Sequence, residues 1–178
     1  HDSELITTEY GFCYVYSDKK DESLKNIELY NHNLQLIDKQ KIQLEKKGIG
    51  RFLKLNTNVV DNKLYLLFTT LGLKRIQLVE YNLESHNSNL SPVVYNKVSG
   101  VVYIRDFLVS GDYAYVHKTK SNSAIFFLED VLKFNIETGE SESIEVGKKT
   151  KLSVKQIHYE KTTKTVHVLL FPYTKKGS

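Results

Sequence analysis

The sequence predicts an all-β protein assembled from a four-stranded antiparallel unit that repeats about every fifty residues. Three observations predict it. Val, Ile, Tyr, Phe and Thr dominate the apolar runs, and these runs alternate with period two. Two aromatic markers recur in step along the chain. No segment carries the i, i+3, i+4, i+7 stripe of an amphipathic helix.

The first marker lies in the runs "FCYVYS" (12–17), "KLYLLFTT" (63–70) and "YAYVHKT" (113–119), which align Tyr14, Tyr65 and Tyr115 at separations of 51 and 50 residues. The second is an aromatic-Asn pair at the end of a following strand, in "ELYN", "VEYN" and "LKFN". It places Tyr30, Tyr81 and Phe134 in register, 51 and 53 residues apart. Within each copy the markers are separated by 16, 16 and 19 residues.

Each copy reads as four strands in order. "LITTEY", "NTNVVDN" and "VVYIRDFLVSGD" supply the first strand, closed by turn chemistry such as Ser110-Gly111-Asp112. The marker runs supply the second and third. After the Asn comes a turn rich in His, Asn, Ser, Thr and Gly, then a fourth strand in "LQLIDKQKIQL", "LSPVVYNKV" or "SESIEV". In the third copy "KFNIETGES" (133–141) is the strand, turn and strand that link the third element to the fourth. Residues 22–47 are rich in Glu, Leu and Lys, which favours helix, but the repeat register assigns them to strands. The whole chain, 1–178, is one β-repeat domain on this reading: about 5–44, 55–98 and 101–146 for the complete copies, and about 151–174 for part of a fourth.

Four-stranded antiparallel units repeating at this period resemble the blades of β-propeller proteins. The resemblance is generic, because the chain has no Trp for a Trp-Asp signature and shows neither Asp-box nor kelch glycine patterns. It implies a propeller-like stack of blades, three complete and one partial, which is an incomplete ring. The open blade faces are then covered by a protein partner or by the missing remainder of the same ring.

Composition narrows the functional classes. Lys and Arg number 25 against 21 Asp and Glu, a formal charge of +4 with the two signs interspersed. That is not the basic stripe needed to hold a phosphate backbone, so nucleic acid is not an expected partner. "EKKGIGRFLK" (45–54) and "HKTKS" (117–121) read as solvated loops and strand ends. No apolar run reaches the length of a membrane span. The single cysteine, Cys13, excludes an intramolecular disulfide and a thiolate zinc cluster, and reads as a buried hydrophobe. A chain beginning at His1 with no Met anywhere is compatible with an exported protein, periplasmic or extracellular, that has lost its leader.

The most specific local geometry is in "QIHYEKTTKTVHVLL". A two-residue turn at Thr162-Thr163, or a four-residue loop over Lys161 to Lys164, sets His158 opposite His167 and Glu160 opposite Thr165 on the same side. Cross-strand Cβ atoms about 4.5–5.5 Å apart let two imidazoles share a metal, with Glu160 as the third candidate ligand. Gly48-x-Gly50 in "KKGIGRF" lacks the strand and helix of a phosphate loop and reads as a crossover between copies. Glu129-Asp130 beside "IFFLED" is the most suggestive carboxylate pair, and Tyr10 and Tyr173 are aromatics available to an interface. No motif calls for a cofactor.

These readings lead to a non-catalytic binding or scaffold module, part of a propeller that mediates protein-protein interaction within a larger protein or assembly. The alternative is a propeller-class enzyme or lectin acting on glycans, or a metal site at the His158/His167 hairpin.

Overall fold

The computed structural model describes residues 3–46, 52–70, 73–96, 101–122, 126–146, 152–160, 163 and 165–172. Among these the structure is all-β: antiparallel sheets with no α-helix, and no helix long and apolar enough to cross a membrane. Sheet 1 has the order β1 (Ser3–Thr8), β2 (Gly11–Ser17), β3 (Leu24–Tyr30), β4 (Leu36–Gln43). Sheet 2 has β5 (Phe52–Val60), β6 (Lys63–Thr70) and β7 (Arg75–Asn82), with the short β8 (Ser88–Leu90) and β9 (Val94–Tyr95) both pairing with β7. Sheet 3 runs β10 (Val101–Ser110), β11 (Tyr113–Asn122), β12 (Phe126–Asn135), β13 (Ser141–Val146). Sheet 4 pairs β14 (Leu152–Glu160) with β15 (Thr165–Pro172). The helix-favouring stretch at 22–47 holds β3 and β4, because pairing partners on both sides outweigh intrinsic propensity.

Two-residue turns join the first two strands of each complete sheet, and they correct one alignment. The closing pairs are Thr8 with Gly11, Val60 with Lys63 and Ser110 with Tyr113. Counted from those pairs, Cys13 and not Tyr14 occupies the position of Tyr65 and Tyr115. Because strand faces alternate with period two, the one-residue difference sends Tyr14 to the opposite face. Tyr30, Tyr81 and Phe134 do align: they pair with Phe12, Leu64 and Ala114, each one residue beyond the closing position.

The Asn of the second marker has a backbone reason. Asn82 Oδ1 accepts from the amides of Glu84 and Ser85, and Asn135 Oδ1 accepts from those of Glu137 and Thr138. Asn31 Oδ1 accepts from Asn33 and Gln35 in a tighter version of the same turn. Each side chain satisfies turn amides that no ladder reaches, as an Asx turn does. One residue in each turn has positive φ: Leu34 (61°), His86 (58°) and Gly139 (73°).

The chain divides into two compact units, His1–Asn96 and Lys97–Ser178. In the first, sheets 1 and 2 meet face to face over one core. Ile6, Cys13, Val15, Ile27, Leu29 and Ile42 on one side pack with Phe52, Leu64, Leu66, Phe68, Val79 and Tyr81 on the other. Hydrogen bonds cross the same interface. Tyr81 Oη donates to Asp38 Oδ2 at 2.8 Å, Gln40 Nε2 donates to the His86 carbonyl, and Glu45 N donates to Gln77 Oε1 at 2.9 Å. Two buried cations lie over rings: Lys25 Nζ is 5.4 Å from the Phe68 centroid and the Arg75 guanidinium 4.7 Å from that of Phe52. β6 is buried on both faces from Leu64 to Thr70, which explains its unbroken apolar reading.

In the second unit the β14–β15 hairpin packs on sheet 3. Ile157, Val166 and Val168 lie against Leu108, Tyr115 and Val131, and Asp106 Oδ2 accepts a 3.4 Å bond from Ile157 N. The two interfaces have the same sense. The face holding Cys13 in sheet 1 meets the Leu64/Leu66 face of sheet 2. The face holding Tyr115 in sheet 3 meets Val166 and Val168, which occupy the positions of Leu64 and Leu66 when counted from the last ladder pair, Glu160 with Thr165.

Candidate interaction surfaces

Sheet 1 has a second face whose composition follows from its register. Leu5, Tyr14, Glu28 and Lys39 are successive cross-strand partners, flanked by the rows Ser3-Tyr16-Asn26-Lys41 and Thr7-Phe12-Tyr30-Leu36. The rings of Tyr14 and Tyr16 stack with centroids 5.0 Å apart. Glu28 is the hub of the face. Its Oε1 accepts from Tyr16 Oη at 2.8 Å and lies 2.7 Å from Lys39 Nζ, while its Oε2 accepts from Tyr30 Oη at 2.6 Å.

Those donors set the protonation chemistry. The Lys39 ammonium, then the Tyr30 and Tyr16 hydroxyls, hold the Glu28 carboxyl down to about 2, against the partial burial that opposes ionisation. Hydrogen bonding to the same carboxylate raises both phenols and the Lys39 ammonium. Glu28 is thus a fixed anion that locks two tyrosines and a lysine into one rigid plate. Apolar side chains rim it, with Leu5 64% and Leu36 53% exposed. The plate thus combines ordered aromatic rings and an ionised carboxylate with an exposed apolar rim.

A cleft of about 410 Å³ opens between the β2–β3 loop and the segment after β4, lined among the described residues by Lys19, Lys20, Asp21, Glu22, Ser23, Glu45, Lys46, Phe52 and Arg75. One ion pair and one guanidinium–carbonyl bond lie within it. Lys46 Nζ is 2.6 Å from Asp21 Oδ2, and with Ser23 it holds the Asp21 carboxyl down to about 2. Arg75 Nη2 donates to the Glu45 carbonyl at 2.6 Å while the guanidinium covers Phe52. Interleaved charges of both signs make this a polar surface with no concentrated anion-binding field.

The predicted hairpin register is present: His158 pairs with His167 and Glu160 with Thr165, which leaves four residues between the last paired positions. Both imidazoles lie on the exposed face, away from the one packed on sheet 3. Glu160 Oε2 accepts from Thr163 Oγ1 at 2.8 Å and lies 3.3 Å from His167 Nε2, and these contacts lower its carboxyl, Thr163 first. The carboxylate is therefore engaged with one imidazole. Among the described residues no three His, Cys, Asp or Glu side chains are grouped to hold a metal ion.

The remaining sequence candidates take structural places. Cys13 is fully buried in the sheet 1–sheet 2 core, and burial pushes its thiol up to about 12, the opposite of an activated nucleophile. Gly48 and Gly50 lie outside the described residues, as do Tyr173 and the side chain of Glu129. Asp130 is 4.0 Å from the buried Lys118 ammonium, whose affinity for a proton is lowered by desolvation. Tyr10 Oη donates to Glu84 at 2.8 Å and so joins the two sheets of its unit. The Glu28 hub escapes sequence reading, because its four members lie on three strands, β2, β3 and β4, and share a face only once the β2–β3 and β3–β4 pairings fix the register. Compared with models of known protein families and with curated proteins, the chain matches none.

Proposed function

We propose that this chain is a propeller-type array of four-stranded blades acting as a non-catalytic interaction module, with the outward face of sheet 1 receiving another blade-like β-sheet. The observation that carries the reading is the equivalence of faces. Phe12, Tyr14 and Tyr30 hold the positions at which sheet 2 presents Leu64, Leu66 and Tyr81 to sheet 1. The same kind of face is covered in sheet 2 and bordered by exposed Leu5 and Leu36 in sheet 1. The repeated sense of the interface within each unit supports a stack of blade on blade.

Light scattering across a concentration series tests it. A mass above the 20.6 kDa of one chain is expected, returning to that value in Tyr14→Asp, which sets an unpaired charge in the plate. A wild-type chain that stays at 20.6 kDa up to about 200 µM overturns the proposal and favours a self-contained lectin or enzyme.

A further inference from the structure

Among the described residues, Tyr14 and Tyr16 are the one pair of tyrosines whose rings are in contact. Their planes lie 29° apart with the centroids at 5.0 Å, and both side chains are partly exposed on the outward face of sheet 1. Residues i and i+2 of a strand share a face, so β2 by itself brings the two phenols together. Other tyrosines of the same unit are placed differently. Tyr30 has Phe12 as its cross-strand partner, and Tyr65 and Tyr81 are buried.

A phenol gives up an electron readily only where its proton can leave as well, because the oxidised phenol is a strong acid. Tyr16 has that acceptor in place: its Oη already donates to Glu28 Oε1 at 2.8 Å, and the carboxylate is ionised and open to the proton. Lys39 Nζ, 2.7 Å from the same oxygen, also donates to Tyr16 Oη at 3.4 Å and is placed to bond the phenoxyl oxygen left behind. Tyr14, partly exposed, can release its proton to water.

From this geometry we infer that Tyr14 and Tyr16 form an oxidative modification site, at which a one-electron oxidant of the ruthenium(III) or peroxidase class joins the two rings as dityrosine. Each ring gives one electron to one equivalent of oxidant and releases one proton, Tyr16 to Glu28 and on to water, Tyr14 directly to water. The two phenoxyl radicals then couple face to face, and a carbon–carbon bond forms between ring carbons ortho to the two oxygens. The hydrogen on each of those carbons moves as a proton to oxygen and restores both phenols, so the chain loses two hydrogens in all. Holding the rings in contact replaces a bimolecular encounter by an intramolecular one. The link joins residues two apart on one strand, so no ladder pair has to break. The site lies within a single chain and stands apart from the docking proposed for this face.

The test oxidises the full chain, at about 5 µM so that encounters between chains are rare, with tris(bipyridyl)ruthenium(II), persulfate and a brief pulse of visible light. Intact mass, blue dityrosine fluorescence and fragment mapping read the product. The main product is expected to be a single chain lighter by two hydrogens, with the link between Tyr14 and Tyr16. Tyr14→Phe and Tyr16→Phe, which keep both rings, and prior unfolding in urea should each cut its yield at least about ten-fold. Glu28→Gln should slow its formation about three-fold or more without moving the link. Mapping on the wild-type chain needs no variant and stands if a variant fails to fold. Links that fall mainly on other tyrosines or between chains, or a yield that survives Tyr14→Phe or urea, overturn the inference. An unchanged rate in Glu28→Gln overturns the role given to the carboxylate.

Discussion

A Cβ placed on Gly11 would lie 2.1 Å from the carbonyl oxygen of Tyr30, and the φ of Gly11 is +131°. The first hairpin turn and the end of the third strand are thus in backbone contact at a position open only to glycine. Gly11→Ala adds both a left-handed strain and a clash with an immovable main chain. A loss of about 3 kcal/mol in unfolding free energy is expected by urea denaturation. A change below about 1 kcal/mol would show that the hairpin can part from Tyr30 at little cost.

Glu28 gives a pH signature. Its folded-state pKa, about 2, is below the ordinary glutamate value of 4.5, so its contribution to stability is fully present above the unfolded pKa and is lost as pH falls toward the folded one. The melting temperature of wild type should exceed that of Glu28→Gln at pH 6, with the gap closing between about pH 4.5 and 2. A gap that persists unchanged at pH 2 would assign the effect to packing instead.

Tyr81 is fully buried, and its hydroxyl joins sheet 2 to Asp38 of sheet 1. Tyr81→Phe keeps the ring and deletes one charge-assisted bond, at an expected cost of about 1.5 kcal/mol by chemical denaturation. Phe134, which holds the equivalent place in sheet 3, has no hydroxyl. Phe134→Tyr is therefore expected to give no matching gain.

The turn after the third strand predicts opposite signs at equivalent sites. Gly139→Ala forces a side chain into positive φ and should cost about 1 kcal/mol. His86→Gly relieves a non-glycine residue from the same conformation and should be neutral or stabilising by about 0.5 kcal/mol. Thermal unfolding of the two variants reads both signs.

Calorimetry checks the His158/His167 hairpin. Glu160 is occupied by Thr163 and His167, which leaves two imidazoles where zinc sites use three or four protein ligands. No heat is expected at micromolar zinc. Stoichiometric heat that His158→Ala removes would show the carboxylate turning to the metal.

The fourth strand expected at 90–98 is instead two short strands, Ser88–Leu90 and Val94–Tyr95, but the sequence by itself determined the other strands, the fifty-residue period, the turns at Gly111-Asp112 and after Asn31, Asn82 and Asn135, and the pairing of His158 with His167. All are local: alternation, turn chemistry and a short hairpin are written in neighbouring residues. Matching tyrosines across copies placed Tyr14 one residue out, since a shared residue type says nothing about face and the closing turn pair does. Only the tertiary structure decided that Cys13 is inside and Tyr14 outside, that Lys25 and Arg75 sit over rings, and that Tyr16, Glu28, Tyr30 and Lys39 form one plate. The reason is the two-residue period of a strand. A single step of register exchanges core for surface, and register is fixed by backbone pairing between segments whose composition does not record it.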